Sequence, residues 1–133
     1  MTDNPYADWL LARAATVQPP LDLHDGKVAS GASLPYGVLH VDLGMPGEFL
    51  SLTMRTERMD VTAQITAVGE DRNQVDAVRA ALRAVLLDVA PDIEGRDCWP
   101  IRLHDSQPAR RDDDVQPSVM YGVDIYRLSS VPA

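Results

Sequence analysis

The stretch Met59–Leu87, MDVTAQITAVGEDRNQVDAVRAALRAVLL, predicts a strand, a glycine turn and a helix. Apolar and polar side chains alternate from Asp60 to Val68, which is the period of a strand with one buried face. The helix predicted over Asp71–Val89 carries an apolar stripe at three- and four-residue steps. The stripe consists of Val75, Val78, Leu82, Val85, Leu86 and Val89.

Capping residues mark the start of this helix. Asp71 is placed to act as the N-cap, and Gln74, three residues on, is the reciprocal partner of a capping box. Nothing catalytic lies on the strand or the helix, so the helix is predicted to cover a sheet. Changing Val78 or Leu82 of the stripe to Asp is therefore predicted to unfold the domain.

Two more strands and a second helix complete the predicted core. Asp3 or Asn4 would cap an N-terminal helix with a proline at its first position. Alternating side chains predict strands at Tyr36–Leu43 and Val119–Leu128. Gly122, inside the later strand, indicates a bulge or a close approach of another backbone.

These elements predict an α+β fold for residues 1–133 as a single domain. We expect a mainly antiparallel sheet, covered on one face by the long helix, with an additional N-terminal helix. A chain of 133 residues that is 45% hydrophobic is long enough for one packed core and too short for two comfortable domains.

Shorter segments are more ambiguous. Leu21–His24 and Ile101–His104 are possible strands, and Ala109–Val115 is predicted to be a charged loop. Phe49–Met54 is either a hairpin strand packed on the core or a docking surface for another subunit.

Charge and cysteine content limit the possible partners. The net charge of −8 should repel a phosphate backbone and an anionic membrane surface. No apolar run is long enough to span a bilayer, and the N-terminus carries acid where a signal peptide would carry base. Cys98, the only cysteine, cannot form an internal disulfide. We expect a soluble protein that resides or is assembled in a reducing cytosol.

The sequence contains no recognisable catalytic constellation. His40 and Asp42 share one face of a strand and could chelate a metal together. Surface polar residues are the preferred interpretation, because no two histidines have a known metal-ligand spacing. Cys98 lies near Arg96 and Asp97, whose charges roughly cancel, so a buried structural thiol is favoured over a nucleophile.

Other site motifs are also missing from the sequence. The acidic run Asp112–Asp114 lacks the alternating ligands and the closing glutamate of a calcium loop. No G-x-S-x-G nucleophile motif and no glycine-rich phosphate loop occurs. We therefore expect no metal, no cofactor and no enzymatic activity.

Three motifs together resemble those of one protein family. Leu34–Tyr36 (LPY) opens a strand, Gln64–Gly69 (QITAVG) leads into Arg72 and Gln74, and the last strand contains Tyr121–Tyr126 (YGVDIY). This combination resembles the tail terminator (tail completion) proteins of phages with long, non-contractile tails. It is close to minor tail proteins of actinobacterial phages, and the likeness covers nearly the whole chain.

The chain also departs from this family pattern. Family members often carry an aromatic and an acidic residue further along the long helix, where this chain has Val78 and Leu82. The segment Glu48–Arg58 has no clear counterpart. These departures concern the interface more than the fold.

The resemblance implies a structural virion protein of the tail and neck, assembled in the host cytoplasm. Such a protein forms a hexameric ring that caps the completed tail tube and joins it to the head. Its partners would be other copies of itself, the tail tube protein and the head-tail connector protein. DNA would pass through the ring without sequence-specific contacts, and neither a membrane nor catalysis is involved.

Two alternatives stay open. Another neck or head-tail joining component would share the ring architecture but bind on the head side. A small metal-binding domain or enzyme would use His40, Asp42 and a third ligand.

A ring built head to tail needs two different complementary surfaces on each subunit. One candidate surface is the Gly44–Arg58 arm, which has poor internal periodicity. Its apolar residues are Met45, Phe49, Leu50 and Met54. The other candidate is the Ala109–Val115 segment, where Arg110 and Arg111 could pair with acid on a neighbour. Phe49→Asp and Arg111→Glu are predicted to weaken assembly and leave the fold intact.

Overall fold

The computed structural model describes residues 4–18, 21–28, 31–43, 58–114 and 118–133. In chain order the elements are α1 (Pro5–Ala14), β1 (Leu23–Asp25), β2 (Tyr36–Asp42), β3 (Met59–Gly69), α2 (Arg72–Leu86), β4 (Arg96–Cys98), β5 (Arg102–Ser106), β6 (Arg110–Asp112) and β7 (Val119–Pro132). The α+β class is the one that the sequence predicted.

The described strands form one mixed sheet. Its main path is β1-β2-β3-β7, and β4, β5 and β6 each pair with a different part of β7. β1 runs parallel to β2, with Leu23 opposite Gly37 and Asp25 opposite Leu39. The other described pairings are antiparallel. The prediction of a mainly antiparallel sheet thus missed the parallel edge strand.

Asp71 and Asn4 act as the N-caps that the sequence predicted, whereas Gln74 binds the N–H one residue before the N-cap and so does not close the predicted capping box. Asp71 Oδ1 accepts a hydrogen bond from Gln74 N at 2.9 Å, and Gln74 Oε1 accepts one from Glu70 N at 2.8 Å. In α1, Asn4 Oδ1 accepts a hydrogen bond from Ala7 N at 3.1 Å. α2 ends earlier than the predicted Val89, since the next residue after Leu86 has extended backbone angles.

The helices α1 and α2 share one face of the sheet. Arg13 Nε of α1 donates a hydrogen bond to the Val85 carbonyl of α2 at 2.8 Å, and the Tyr6 hydroxyl lies 3.0 Å from Ser130 Oγ of β7. α2 packs on β3 and β7, whereas α1 packs on β1 and β2. The prediction that one long helix covers this face was too simple, because two helices divide it. The buried apolar residues of α2 are Val75, Val78, Leu82 and Leu86.

β3 and β7 form the centre of the core. The alternation predicted for β3 is confirmed, and its helix-facing side chains are buried. Those side chains are Val61, Ala63, Ile65 and Ala67. Gly122 of β7 lies under α2, where a Cβ would come within 2.8 Å of Arg79 Nη1 and 3.0 Å of Val75 Cγ1. The close neighbours of Gly122 are therefore side chains of α2, where the sequence predicted a bulge or a close backbone approach. The register irregularity of the β5–β7 pair lies in β5 between Leu103 and Asp105.

Short strands at the β7 edge differ most from the sequence predictions. The possible strand at Ile101–His104 begins one residue later and reaches Ser106. The charged loop predicted at Ala109–Val115 is wrong for Arg110–Asp112, which pair with β7 as β6. β4 was not predicted. Such short strands lack a hydrophobic pattern of their own and form because the long edge of β7 offers them hydrogen-bonding groups. Phe49–Met54 lies outside the described residues.

Candidate functional site

A groove on the sheet face opposite the helices has a volume of about 520 Å³, and we call it the arginine groove. Its floor is the part of β7 that carries Arg127 and Ser129. Its walls are formed by Arg58, which immediately precedes β3, and by the segment from Trp99 to His104, which enters β5. The lining residues are Arg58, Trp99, Pro100, Arg102, Leu103, His104, Arg127 and Ser129.

Asp60 organises one side of the arginine groove. Its Oδ1 accepts a hydrogen bond from Ser129 Oγ at 2.5 Å and lies 3.2 Å from Arg58 Nε. Its Oδ2 lies 3.5 Å from Arg127 Nη2. The Ser129 hydrogen bond, together with the charges of Arg58 and Arg127, holds the pKa of Asp60 below its ordinary value. Asp60 is thus an anion shared between two guanidinium groups.

Arg102 and Arg127 face each other across the β5–β7 pair. Directly opposed like charges are unfavourable in a sheet. Each of these arginines contacts a different carboxylate: Arg102 Nη1 lies 2.7 Å from Asp88 Oδ1, and Arg127 contacts Asp60. Among the described residues, Arg58, Arg102 and Arg127 form ion pairs with two carboxylates, those of Asp60 and Asp88. The groove therefore concentrates arginines in a chain of net charge −8.

Exposed apolar surface lies beside these charges. Trp99 is 46% exposed and Leu103 is 37% exposed. The guanidinium carbon of Arg58 lies 5.2 Å from the centroid of the Trp99 ring, which is within cation–π range. Tryptophan and arginine are the residue types enriched at protein interfaces. The arrangement suits binding of an acidic, partly apolar surface.

A second ionic cluster lies under α2 and is buried. Asp124 of β7 is bound by Arg79 and Arg83 of α2 and by Ser106 of β5. Arg79 Nη2 and Arg83 Nη2 each lie 2.8 Å from Asp124 Oδ1, and Arg83 Nε lies 2.8 Å from Oδ2. Ser106 Oγ donates to Asp124 Oδ1 at 2.7 Å and also accepts from both arginines.

Electrostatics keep this buried cluster charged. Burial alone would raise the pKa of Asp124, but hydrogen bonds from Arg83, Arg79 and Ser106 outweigh it and lower the pKa. The hydrogen bond to Asp124 likewise raises the pKa of Arg83. Burial raises the pKa of neighbouring Tyr126, whose hydroxyl has no hydrogen-bond partner among the described residues. The cluster ties α2 to β5 and β7 and is structural.

The interface candidates from the sequence fall in two places. Arg110 and Arg111 lie exposed on β6, opposite Tyr121 and Met120 of β7. They are not part of the arginine groove. The other four candidates, Met45, Phe49, Leu50 and Met54, lie outside the described residues.

The candidate metal and thiol residues are also located. His40 and Asp42 are exposed on β2, and no group of three or more metal-ligating side chains converges within the described ranges. His24 Nε2 lies 3.0 Å from Asp22 Oδ2, an ion-pair distance without hydrogen-bond alignment. Cys98 is half-buried on β4, and burial raises the pKa of its thiol, which suits a structural residue.

The sequence reasoning did not find the arginine groove. Its residues come from three separate segments, and only the fold brings Arg58, Trp99 and Arg127 together. A tryptophan followed by a proline between polar residues, DCWP, is the one local signal for an exposed aromatic side chain.

Comparison with known proteins adds no relative. No protein-family model matches the chain, and a search of curated proteins gives no match. In the part of the chain that the structure describes, no helix has the length and apolar character needed to cross a membrane. A functional proposal therefore rests on the sequence motifs and on the geometry.

Proposed function

We propose that this protein is a tail terminator of a phage with a long, non-contractile tail. It would form a hexameric ring that caps the completed tail tube and joins it to the head-tail connector. The motifs at Leu34–Tyr36, Gln64–Gly69 and Tyr121–Tyr126 support this family assignment.

The observation that carries ring formation is that the sheet has two unlike edges. β1 lies at one edge, and β5 and β6 lie at the other; among the described strands, β1 pairs only with β2, and β5 and β6 only with β7. Edge strands expose backbone groups that must be paired or protected. Contact between unlike edges is head to tail, which closes into a ring when the rotation between subunits allows it.

The sheet face that no described helix covers suits an assembly role as well. Val38, Val123 and Ile125 are half-buried on the face opposite the helices. In the proposed ring, the antiparallel strands β2, β3 and β7 form a rigid wall, and α1 and α2 cover the other side of it. A sheet face of this kind can dock flat against the tail tube or the connector.

A head-side neck component is the alternative that shares this geometry. Both roles need a ring, and they differ in the position of that ring in the particle. The location of the protein is therefore the decisive measurement.

Cryo-electron microscopy of particles from the virus that encodes the chain tests the proposal. A ring of this fold at the head-proximal end of the tail tube is expected. A ring on the head side of the neck would instead identify a joining component, and absence from the particle would overturn both structural roles. Because a cap stops tube growth, deletion of the gene should also give tails of irregular, excessive length.

A further inference from the structure

We propose that the arginine groove of one copy binds the acidic edge of the next copy. The acidic edge consists of Asp22, which immediately precedes β1, and Asp25, which is the last residue of β1. This inference rests on the proposed ring and names the contact that would close it.

Among the described residues, the three arginines of the groove form ion pairs with only two carboxylates. Arg102 and Arg127 oppose each other across the strand pair, and each contacts a separate carboxylate. Asp60 is divided between Arg58 and Arg127. A carboxylate entering between Arg102 and Arg127 would relieve their repulsion and could accept paired hydrogen bonds from a guanidinium fork.

The acidic edge is accessible and lies at the opposite side of the sheet. The Asp22 side chain is 61% exposed, and Asp25 is exposed at the end of β1. β1 is separated from β5 by β2, β3 and β7. One copy can therefore use its groove and its acidic edge at the same time, as a head-to-tail ring requires.

The groove chemistry favours a protein surface over a nucleic acid. Trp99, Pro100 and Leu103 add apolar area beside the arginines. The net charge of −8 disfavours a phosphate backbone and guarantees that every other copy offers acid. Complementary charge of this kind fixes the register of an interface and speeds encounter.

Two charge-neutralising variants test the contact. The groove variant carries Arg102→Gln and Arg127→Gln, and the edge variant carries Asp22→Asn and Asp25→Asn. Sedimentation velocity up to millimolar protein and at low salt should show that the wild type self-associates. Each variant alone should weaken this association by at least about tenfold, since each removes charges from one side of the interface.

Mixing the two variants gives the sharpest result. The edge variant keeps an intact groove, and the groove variant keeps an intact acidic edge. The groove of the edge variant can then bind the acidic edge of the groove variant. The other groove and the other edge of this dimer are both altered, so no second contact can form. The mixture should yield dimers that do not grow, whereas the wild type continues to larger oligomers.

Matched controls separate this contact from general charge effects. Arg72→Gln and Asp92→Asn change exposed charges outside both surfaces and should leave association unchanged. Lys27 is exposed two residues after Asp25, and its positive charge offsets part of the negative charge of the acidic edge. Lys27→Glu should therefore strengthen association. Added salt should weaken it. Thermal melts of every variant report whether the fold is retained.

Several results would overturn the contact without touching the proposed function. These are a wild type that stays monomeric at millimolar concentration, and oligomers whose size neither variant changes. Groove-dependent binding of a DNA oligonucleotide or of inorganic phosphate, without self-association, would also overturn it. The reverse case, a variant-sensitive contact in a protein absent from the virion, would keep the contact and remove the proposed function.

Discussion

Asp124 Oδ1 accepts a hydrogen bond from Arg79 Nη2 at 2.8 Å, and the two side chains are only 2% and 11% exposed. Arg83, one helical turn further along α2, binds the same carboxylate. A buried carboxylate is tolerated here because two guanidinium groups and the Ser106 hydroxyl satisfy it. The helix is thereby held in one position over β7.

Asp124→Ala should strongly destabilise the protein. The substitution leaves the buried Arg79 guanidinium without its counter-ion, a change that costs about 3–5 kcal/mol in comparable buried pairs. Urea unfolding followed by circular dichroism measures the loss. Asp113→Ala, at an exposed position, should change the free energy of unfolding by less than about 0.5 kcal/mol.

Replacing both buried partners should cost less than replacing one. The double variant Arg79→Met/Asp124→Leu removes both members of the buried ion pair, so neither is left without its counter-ion. Arg83 can turn toward solvent. Its free energy of unfolding is expected to exceed that of Asp124→Ala. A double variant less stable than either single change would show that the cluster does not act as a pair.

The stability should fall in acid partly through Asp124. Its pKa is lower in the folded chain than the unfolded value of about 3.9. The ionised carboxylate therefore stabilises the fold fully above about pH 4, and this contribution is lost as the pH falls through the lowered pKa. The wild type should have a higher urea unfolding midpoint than Asp124→Asn at about pH 6, and this difference should shrink as the pH is lowered to about 2. A difference that stays constant over this range would contradict the assignment.

Gly122→Ala should destabilise the contact between α2 and β7. The added methyl group would meet Arg79 Nη1 and Val75 Cγ1 at distances below ordinary contact, so the helix or the arginine must move. Overpacking of this kind costs about 1–3 kcal/mol. The melting temperature should fall, and the effect should shrink when Val75 is also shortened to Ala.

Cys98 should react slowly in the folded protein. Burial raises the pKa of its thiol, so less thiolate is present at pH 8 than for a free cysteine. Alkylation by iodoacetamide should be several-fold slower in buffer than in urea, where the same single thiol is fully exposed. Equal rates in the two conditions would contradict a structural role for this cysteine.

Local pattern was enough to place the main elements. The alternation in β3, the stripe of α2 and the capping pair Asp71 and Gln74 depend on residues that are neighbours in the chain. Their predicted bounds differ from the observed ones by a few residues. The stripe did not reveal Arg79, a charged residue that is buried within an otherwise apolar face.

The pairing partners of the short strands could not be predicted from the sequence. β4, β5 and β6 have too few residues to show a period, and each is ordered by hydrogen bonds to β7. The direction of β1 depends on where the chain after Asp25 re-enters the sheet. These features follow from packing and chain path, which local periodicity does not contain.

By itself the sequence determined the α+β class, the strand–glycine–helix order within Met59–Leu87 and the excess of acidic residues. Side chains that are close in the chain set these properties through period, capping and charge. Only the tertiary structure decided that Asp124 is held by Arg79 and Arg83, and that Arg58, Trp99 and Arg127 line one groove. Those sites join residues from distant segments, because pairing across β7 and packing of α2 bring them within a few ångströms of each other.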